Sequence, residues 1–306
     1  MKKFAKGCLI TALSMLFTGV IILIICTFVG GTTLYSYAKN NLNWSDLFNG
    51  HVVISHNGET NMDFSNNHQT YSGNYENMQV ASSLDIRNLD LEIAGGGCKI
   101  SESSDEYFHI YSENASEFQY YIEDETLYLK GFDHISYDIH PDDYNYIYLE
   151  IPKDFVFEDI DLELGAGIIE ADSFQASNLI EMKVGAGEVI VASLTANTFT
   201  AEIGAGNAEI ENAVVKDSDI QIGLGNMTYS GLITGNLSAE CGMGNLDLYL
   251  NDAYENHNYV VDLVMGNMTL HQKSFSAVAC SDHIQNGASS TYDLECDMGN
   301  MTILFQ

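Results

Sequence analysis

Along most of the chain apolar and polar residues alternate with period two, and the alternation recurs. From Phe157 onward one phrase returns: an alternating run, Gly-x-Gly, a second alternating run, then a polar gap. Its regular copies are DIDLELGAGIIEA, LIEMKVGAGEVIV, FTAEIGAGNAEI, DIQIGLGNMTYS and LSAECGMGNLDLYL. Their leading glycines, Gly165, Gly185, Gly204, Gly223 and Gly242, step by 20, 19, 19 and 19 residues. Two drifted copies, VVDLVMGNMTL and YDLECDMGNMTILF, keep only the second glycine, Gly266 and Gly299. Runs such as Ile160, Leu162, Leu164 or Leu246, Leu248, Leu250 are half-buried strands and exclude helical repeats. Self-similarity at this period marks one supersecondary unit stacked many times. The expected fold is all-β: a parallel β-solenoid with coils of about 19–20 residues. Each coil is a strand, a Gly-x-Gly corner and a second strand, paired in register with the next.

The columns of the repeat assign structural jobs. The corner glycines are Gly165, Gly167, Gly185, Gly187, Gly204, Gly206, Gly223, Gly225, Gly242, Gly244, Gly266 and Gly299. Glycine is expected there for a sharp bend and for close approach of stacked backbones. The residue between them runs Ala166, Ala186, Ala205, Leu224, Met243, Met265, Met298, so this corner widens or becomes exposed toward the C-terminus. After the corner comes Asn207, Asn226, Asn245, Asn267 and Asn300, which predicts a ladder of side-chain amides. Asn226, Asn267 and Asn300 are followed by Met-Thr, the pattern of a glycosylation acceptor, but a stacked amide is already occupied. Cys241 and Cys296 share the inward column of Leu164, Val184, Ile203, Ile222 and Leu263. Taken two coils apart, they would be about 9.6 Å from each other. That is beyond the roughly 7 Å reach of a disulfide, so free thiols are expected.

Upstream the pattern changes. SLDIRNLDLEIAGGGCKIS is an imperfect first copy with Gly95, Gly96 and Gly97 at its corner. An insertion follows, about residues 99–157, in which FHIYSE, FQYYIEDETLYLKG and YNYIYLEIP alternate as strands. Glu123-Asp124-Glu125 reads as a hairpin loop, and the insertion as a cover for the N-terminal end of the stack. The last coil, ending MTILFQ, reads as an open edge suited to end-to-end self-association. Residues 35–79 read as a spacer, 80–306 as the solenoid domain. Residues 8–34 form an uncharged apolar run, longer than the ~20 residues that span a bilayer. A secretory signal has an apolar stretch of only about 7–15 residues. Lys2, Lys3 and Lys6 place the head, residues 1–7, in the cytoplasm and the remainder outside a plasma membrane, as a single-pass protein.

Charge and chemistry narrow the function. The net charge is −32, with 43 acidic residues against 11 basic ones, and four of those bases flank the apolar run. Such a surface repels phosphate backbones and excludes nucleic-acid binding. It is a solubility feature or a trap for cations. The nine histidines are scattered, without metal-type pairing. Only DHISYDIHPDD gathers His134, Asp138, His140, Asp142 and Asp143, and a solvated loop is the simpler account of it. No nucleophile–base set, phosphate loop or basic cluster is present, so no enzyme activity and no cofactor are expected. The surface feature to carry forward is Tyr144, Tyr146 and Tyr148, alternating with Ile147, Leu149 and Ile151. With the aliphatic residues inward, the tyrosines form an outward stripe, with Tyr120, Tyr121 and Tyr128 nearby. Such a stripe is either a glycan or protein contact or a cross-strand ladder.

The order LDLEIAGGG, DETLYLKG, YIYLEIPKDFVFEDIDLELGAG and then serial GAG and GNM phrases resembles the putative-adhesin family of bacterial β-strand-repeat proteins. This is a domain of unknown function, and the likeness covers roughly residues 80–306. It implies a β-solenoid displayed at the cell envelope, and it carries no catalytic residues. Some relatives are tied to envelope stress responses. The expected function is a membrane-anchored, non-catalytic binding or adhesion scaffold facing an envelope protein or glycan. The alternative is a regulatory or sensor partner in the envelope, and a carbohydrate-active enzyme is the distant third.

Overall fold

In the computed structural model the described residues are 69–131, 146–276 and 279–306, all within one compact unit, Met62–Gln306. The apolar run at 8–34 and the DHISYDIHPDD cluster lie outside them. Among the described residues no helix is long and apolar enough to cross a membrane.

Nearly every described residue is in a strand or a corner. β1 (Thr70–Ser82) leads to β2 (Asn88–Ile93), the triple-glycine corner and β3 (Gly97–Ser103). β4 (Tyr107–Glu123) turns into β5 (Thr126–Gly131) through Asp124 and Glu125. Both have positive φ, 47° and 62°, as a tight two-residue hairpin needs. β6 (Tyr146–Pro152) closes the insertion. The regular coils hold β7 (Phe157–Leu164), β8 (Ile168–Ala171), β9 (Phe174–Val184), β10 (Glu188–Val191), β11 (Leu194–Ile203), β12 (Asn207–Ile222), β13 (Asn226–Ile233), β14 (Leu237–Cys241) and β15 (Asn245–Leu250). The final stretch contains β16 (His257–Leu263), β17 (Asn267–Leu270), β18 (Lys273–Ser276), β19 (Cys280–Ile284), β20 (Ser290–Cys296) and β21 (Asn300–Phe305).

The coils pair in parallel and in register. On the first side Leu164 faces Val184, Val184 faces Ile203 and Ile203 faces Ile222. On the second side Glu188, Asn207, Asn226 and Asn245 align in turn. Each coil has a third, short side where a polar gap was expected. Phe174, Leu194 and Ala213 pair there, and Phe174 and Leu194 are fully buried. The apparent gap hides two inward residues, such as Phe174 and Ala176, among polar ones, so its strand signal is too short to register as periodic. Inward residues of all three sides form one continuous core.

The corner glycines are required chiefly by stacking. A Cβ on Gly185 would lie 2.7 Å from the carbonyl oxygen of Gly165. One on Gly187 would lie 2.6 Å from Leu164 Cδ2. Of the corner glycines from Gly165 onward only Gly167 has a left-handed φ, 122°, as does Gly96 of the first copy, 84°, so the bend itself does not explain the column.

Both ends of the stack depart from chain order. β5 pairs with β2 and β6 with β3, so the insertion supplies a coil outside the first one. β4 lies antiparallel across both β5 and β6, and β1 lies antiparallel on β4. Among the described residues strand pairing begins at Thr70, ahead of Val80. At the other end β20 sits between β14 and β16, and β21 between β15 and β17. The last coil is interior. Its expected role as an open edge for self-association is overturned, because both its neighbours are already bonded to it. The terminal coil is β16–β17, covered by antiparallel β19 and β18. Antiparallel strands thus finish both ends.

That order also corrects the cysteine argument. Cys241 and Cys296 are register partners on adjacent strands, not two coils apart. In-register neighbours are about 4.8 Å apart, inside the disulfide range. Both are nonetheless free and buried, and burial pushes the Cys241 thiol up to about 12, with Cys296 adding to the rise. The reactive thiolate is thereby disfavoured.

Candidate functional site

Three groups of side chains carry enough chemistry to be weighed as sites. The first is the tyrosine-bearing N-terminal end. In β6 the aliphatics Ile147 and Leu149 are fully buried while Tyr146 and Tyr148 point outward, half-buried. Tyr144 lies outside the described residues. Antiparallel pairing sets Tyr111 of β4 opposite Tyr148, and the rings stack flat at 4.5 Å with 6° between their planes. Tyr146 lies 5.9 Å from Tyr148 and over Gly97, where a Cβ would come within 2.6 Å of its ring. Tyr148 donates its hydroxyl to Glu113 at 3.2 Å. Burial and the nearby carboxylates, Glu113 for Tyr148 and Glu150 for Tyr111, raise both phenols above their ordinary range, so both stay neutral donors. Tyr121 and Tyr128 form a second outward stack at 4.7 Å. Tyr120 does not join the stripe. It turns inward and stacks on Tyr71 against the core, because neighbouring residues of a strand face opposite ways.

The second group is the acidic outer face of the first side. In-register stacking places Asp90 beside Asp161, and Asp161 beside Glu181. Only part of this charge is compensated: Lys130 meets Glu92, and Lys183 meets Glu181, each at 2.6 Å. Among the described residues no group of three or more His, Cys, Asp or Glu is placed to hold a metal ion. Burial, and then Glu92, push the Asp90 carboxyl up to about 7. An unfolded aspartate titrates near 4. Between these values the native state binds the proton more tightly than the unfolded chain, so stability falls as pH rises from about 4 to 7. Asp90→Asn should remove that loss. Denaturant melts should show a gain of about 1–2 kcal/mol at pH 7.5, after allowance for solvent screening, and little change at pH 4.

The third group was missed in the sequence because its members are far apart and fit no motif. His257 is 1 % exposed and bridges two partners. Its Nε2 lies 3.0 Å from Asp252 Oδ2 and its Nδ1 lies 2.7 Å from Ser290 Oγ. Tyr292 stacks on the imidazole at 4.1 Å and donates its hydroxyl to the Ile233 carbonyl at 2.8 Å. Burial acts to raise the Asp252 carboxyl. Hydrogen bonds from the Ala253 backbone, Asn256 and His257 outweigh it and hold the group below its ordinary range. The Asp–His–Ser order is that of a hydrolase triad. Ser290, however, is only 5 % exposed and its hydroxyl also donates to the Asn256 carbonyl at 3.3 Å, so no substrate carbonyl reaches it while the coil is closed. Here the network fastens β16 to the inserted β20.

The asparagine column runs 207–226–245–300–267 in space. Every side-chain amide after Asn207 donates to the carbonyl oxygen of the preceding rung, at 2.9 Å from Asn226 to Asn207, 2.8 Å from Asn300 to Asn245 and 3.0 Å from Asn267 to Asn300, with Asn245 bonded to Asn226.

This stack, with its glycine corners and capping strands, is matched by the model of one family, the Toastrack DUF4097 family, over residues 86–281. The chain belongs to that family. Solved structures similar to this Toastrack chain include a putative adhesin from Bacteroides fragilis, 14% identical, covering 78% of this chain and 98% of that one, TM-score 0.42. A putative cell adhesion protein from Clostridium sporogenes is 11% identical, covering 78% and 100%, TM-score 0.28. A putative lipid binding protein from Parabacteroides distasonis is 11% identical, covering 78% and 98%, TM-score 0.38. No match was found among curated proteins.

Proposed function

We propose that this chain is a non-catalytic binding scaffold, held on the outer face of the plasma membrane by residues 8–34 with its short basic head in the cytoplasm. The uncharged length of that run and the lysines before it support the anchoring.

The observation that carries the binding reading is the flat Tyr111–Tyr148 stack with Tyr146 beside it and the carboxylates Glu113 and Glu150 around it. An aromatic face accepts the C–H side of a sugar ring, and carboxylates accept its hydroxyl protons. A glycan of the cell envelope is the ligand class this combination suits.

The test is pull-down of the full chain, in detergent, on insoluble cell-wall polysaccharide. Replacing Tyr111, Tyr146 and Tyr148 with serine should abolish retention while the β-sheet circular dichroism is kept. Retention unchanged, with only a lowered Tm, would leave these tyrosines as a cross-strand ladder. If the wild-type chain is not retained at all, the adhesion reading fails. A regulatory role through the anchor then becomes the better account, visible as crosslinks to a membrane protein in intact cells.

A further inference from the structure

From Ala186 onward the middle residue of each corner is exposed, and along the C-terminal half its chemistry changes. Leu224 is 59% exposed, Met243 55%, Met298 50% and Met265 57%. Their spatial order differs from their chain order, because the last coil is inserted. The Met298 N–H donates to the Gly242 carbonyl at 2.7 Å, and the Met265 N–H to the Asp297 carbonyl at 2.6 Å. Met298 is therefore the central rung, with Met243 on one side and Met265 on the other. Three thioethers stand in one column on three consecutive coils.

The fold does not require methionine here. The same corner position holds Ala166, Ala186 and Ala205 on the earlier coils, with the same close stacking of the glycine that follows. Three large side chains held half in solvent forfeit the burial that usually justifies them. What they do add is three soft, uncharged sulfur donors on flexible stems. Adjacent rungs are about 4.8 Å apart, so the outer two are about 9.6 Å apart. An ion above Met298 at a metal–sulfur distance of about 2.3 Å leaves each outer side chain only about 2.5 Å of lateral reach to supply. That is well within the span of a methionine side chain. Thioether ligands favour copper(I) over calcium, magnesium or zinc. The chain's net charge of −32 also raises the local concentration of any cation near this edge.

We propose that Met243, Met298 and Met265 form a thioether site for a soft monovalent cation, copper(I) in its chemistry. It is independent of the tyrosine face and lies toward the opposite end of the stack. Binding involves no change of oxidation state and no proton release, since thioethers carry none.

The test uses the full chain in detergent, labelled with carbon-13 at its 11 methionine methyl groups and titrated with silver(I), a redox-inert probe, in chloride-free buffer. Three methyl resonances should shift together and saturate at one equivalent. They should be absent from the triple variant Met243→Leu, Met265→Leu, Met298→Leu, which assigns them. In parallel, copper(I) is partitioned against a chromophoric copper(I) chelator. The wild-type chain should hold one equivalent more than the triple variant, which separates this site from the cysteine thiols that both proteins retain. Leucine already occupies the column at Leu224, so the variant should melt at the wild-type temperature without metal. Equal copper uptake by the two proteins, or three methyl resonances that stay put during the silver titration, overturns the proposal.

Discussion

Gly206→Ala is expected to destabilise the domain by about 3–4 kcal/mol, which corresponds to a fall in Tm on the order of 10 °C for a chain of this size. The added methyl would press on the Gly187 carbonyl and approach Val184 Cγ1 at 2.7 Å. Backbone from the preceding coil cannot rotate away as a side-chain tip could. Relief requires parting two coils that share an in-register ladder on either side of the corner. The control is one residue away. Ala205→Met should leave Tm within about 1–2 °C, since this position is exposed and the column already carries methionine on three other coils. Differential scanning calorimetry of the pair measures the corner's demand directly. Equal melting temperatures would mean that coil spacing is elastic there and that the glycine column has another cause.

His257→Leu is the second large effect, with an expected loss of about 2–3 kcal/mol. Leucine fills much of the imidazole's volume, so the cost is mainly polar. The Asp252 carboxylate and the Ser290 hydroxyl each lose a partner in a site that water enters poorly. Ser290→Ala should cost less, because His257 keeps its contact with Asp252. Urea denaturation followed by tyrosine fluorescence gives both values. A His257→Leu variant as stable as wild type would show that the network contributes nothing net to holding the inserted coil.

The repeat made the parallel stack, its glycine corners and its asparagine column legible because each depends on a residue type recurring at a fixed step. The third side escaped notice because two inward residues, such as Phe174 and Ala176, are too few to show alternation. The stacking order escaped for a deeper reason. Coils built on the same columns are nearly interchangeable as neighbours, so a pattern that fixes register leaves adjacency open. Asn300 can donate to Asn245 as well as Asn267 can. What decides adjacency is local to the ends: the β18 and β19 strands that double back on the terminal coil, and the His257–Ser290 contact that joins β16 to β20. The tyrosine stripe was legible in β6, whereas its main partner, Tyr111, was supplied by antiparallel pairing of β4, 37 residues before Tyr148. The Asp252–His257–Ser290 group follows no period and is assembled only by the folded chain.

The inserted position of β20 and β21 has a consequence for biogenesis. During synthesis, β16 and β17 emerge before the layer that will join them to the rest of the stack exists. They must wait as an unattached coil until residues 290–305 arrive, then close over them. A ribosome that stops short of Ser290 would leave a missing storey with the roof detached above it, so the stack closes only once residues 290–305 have been made.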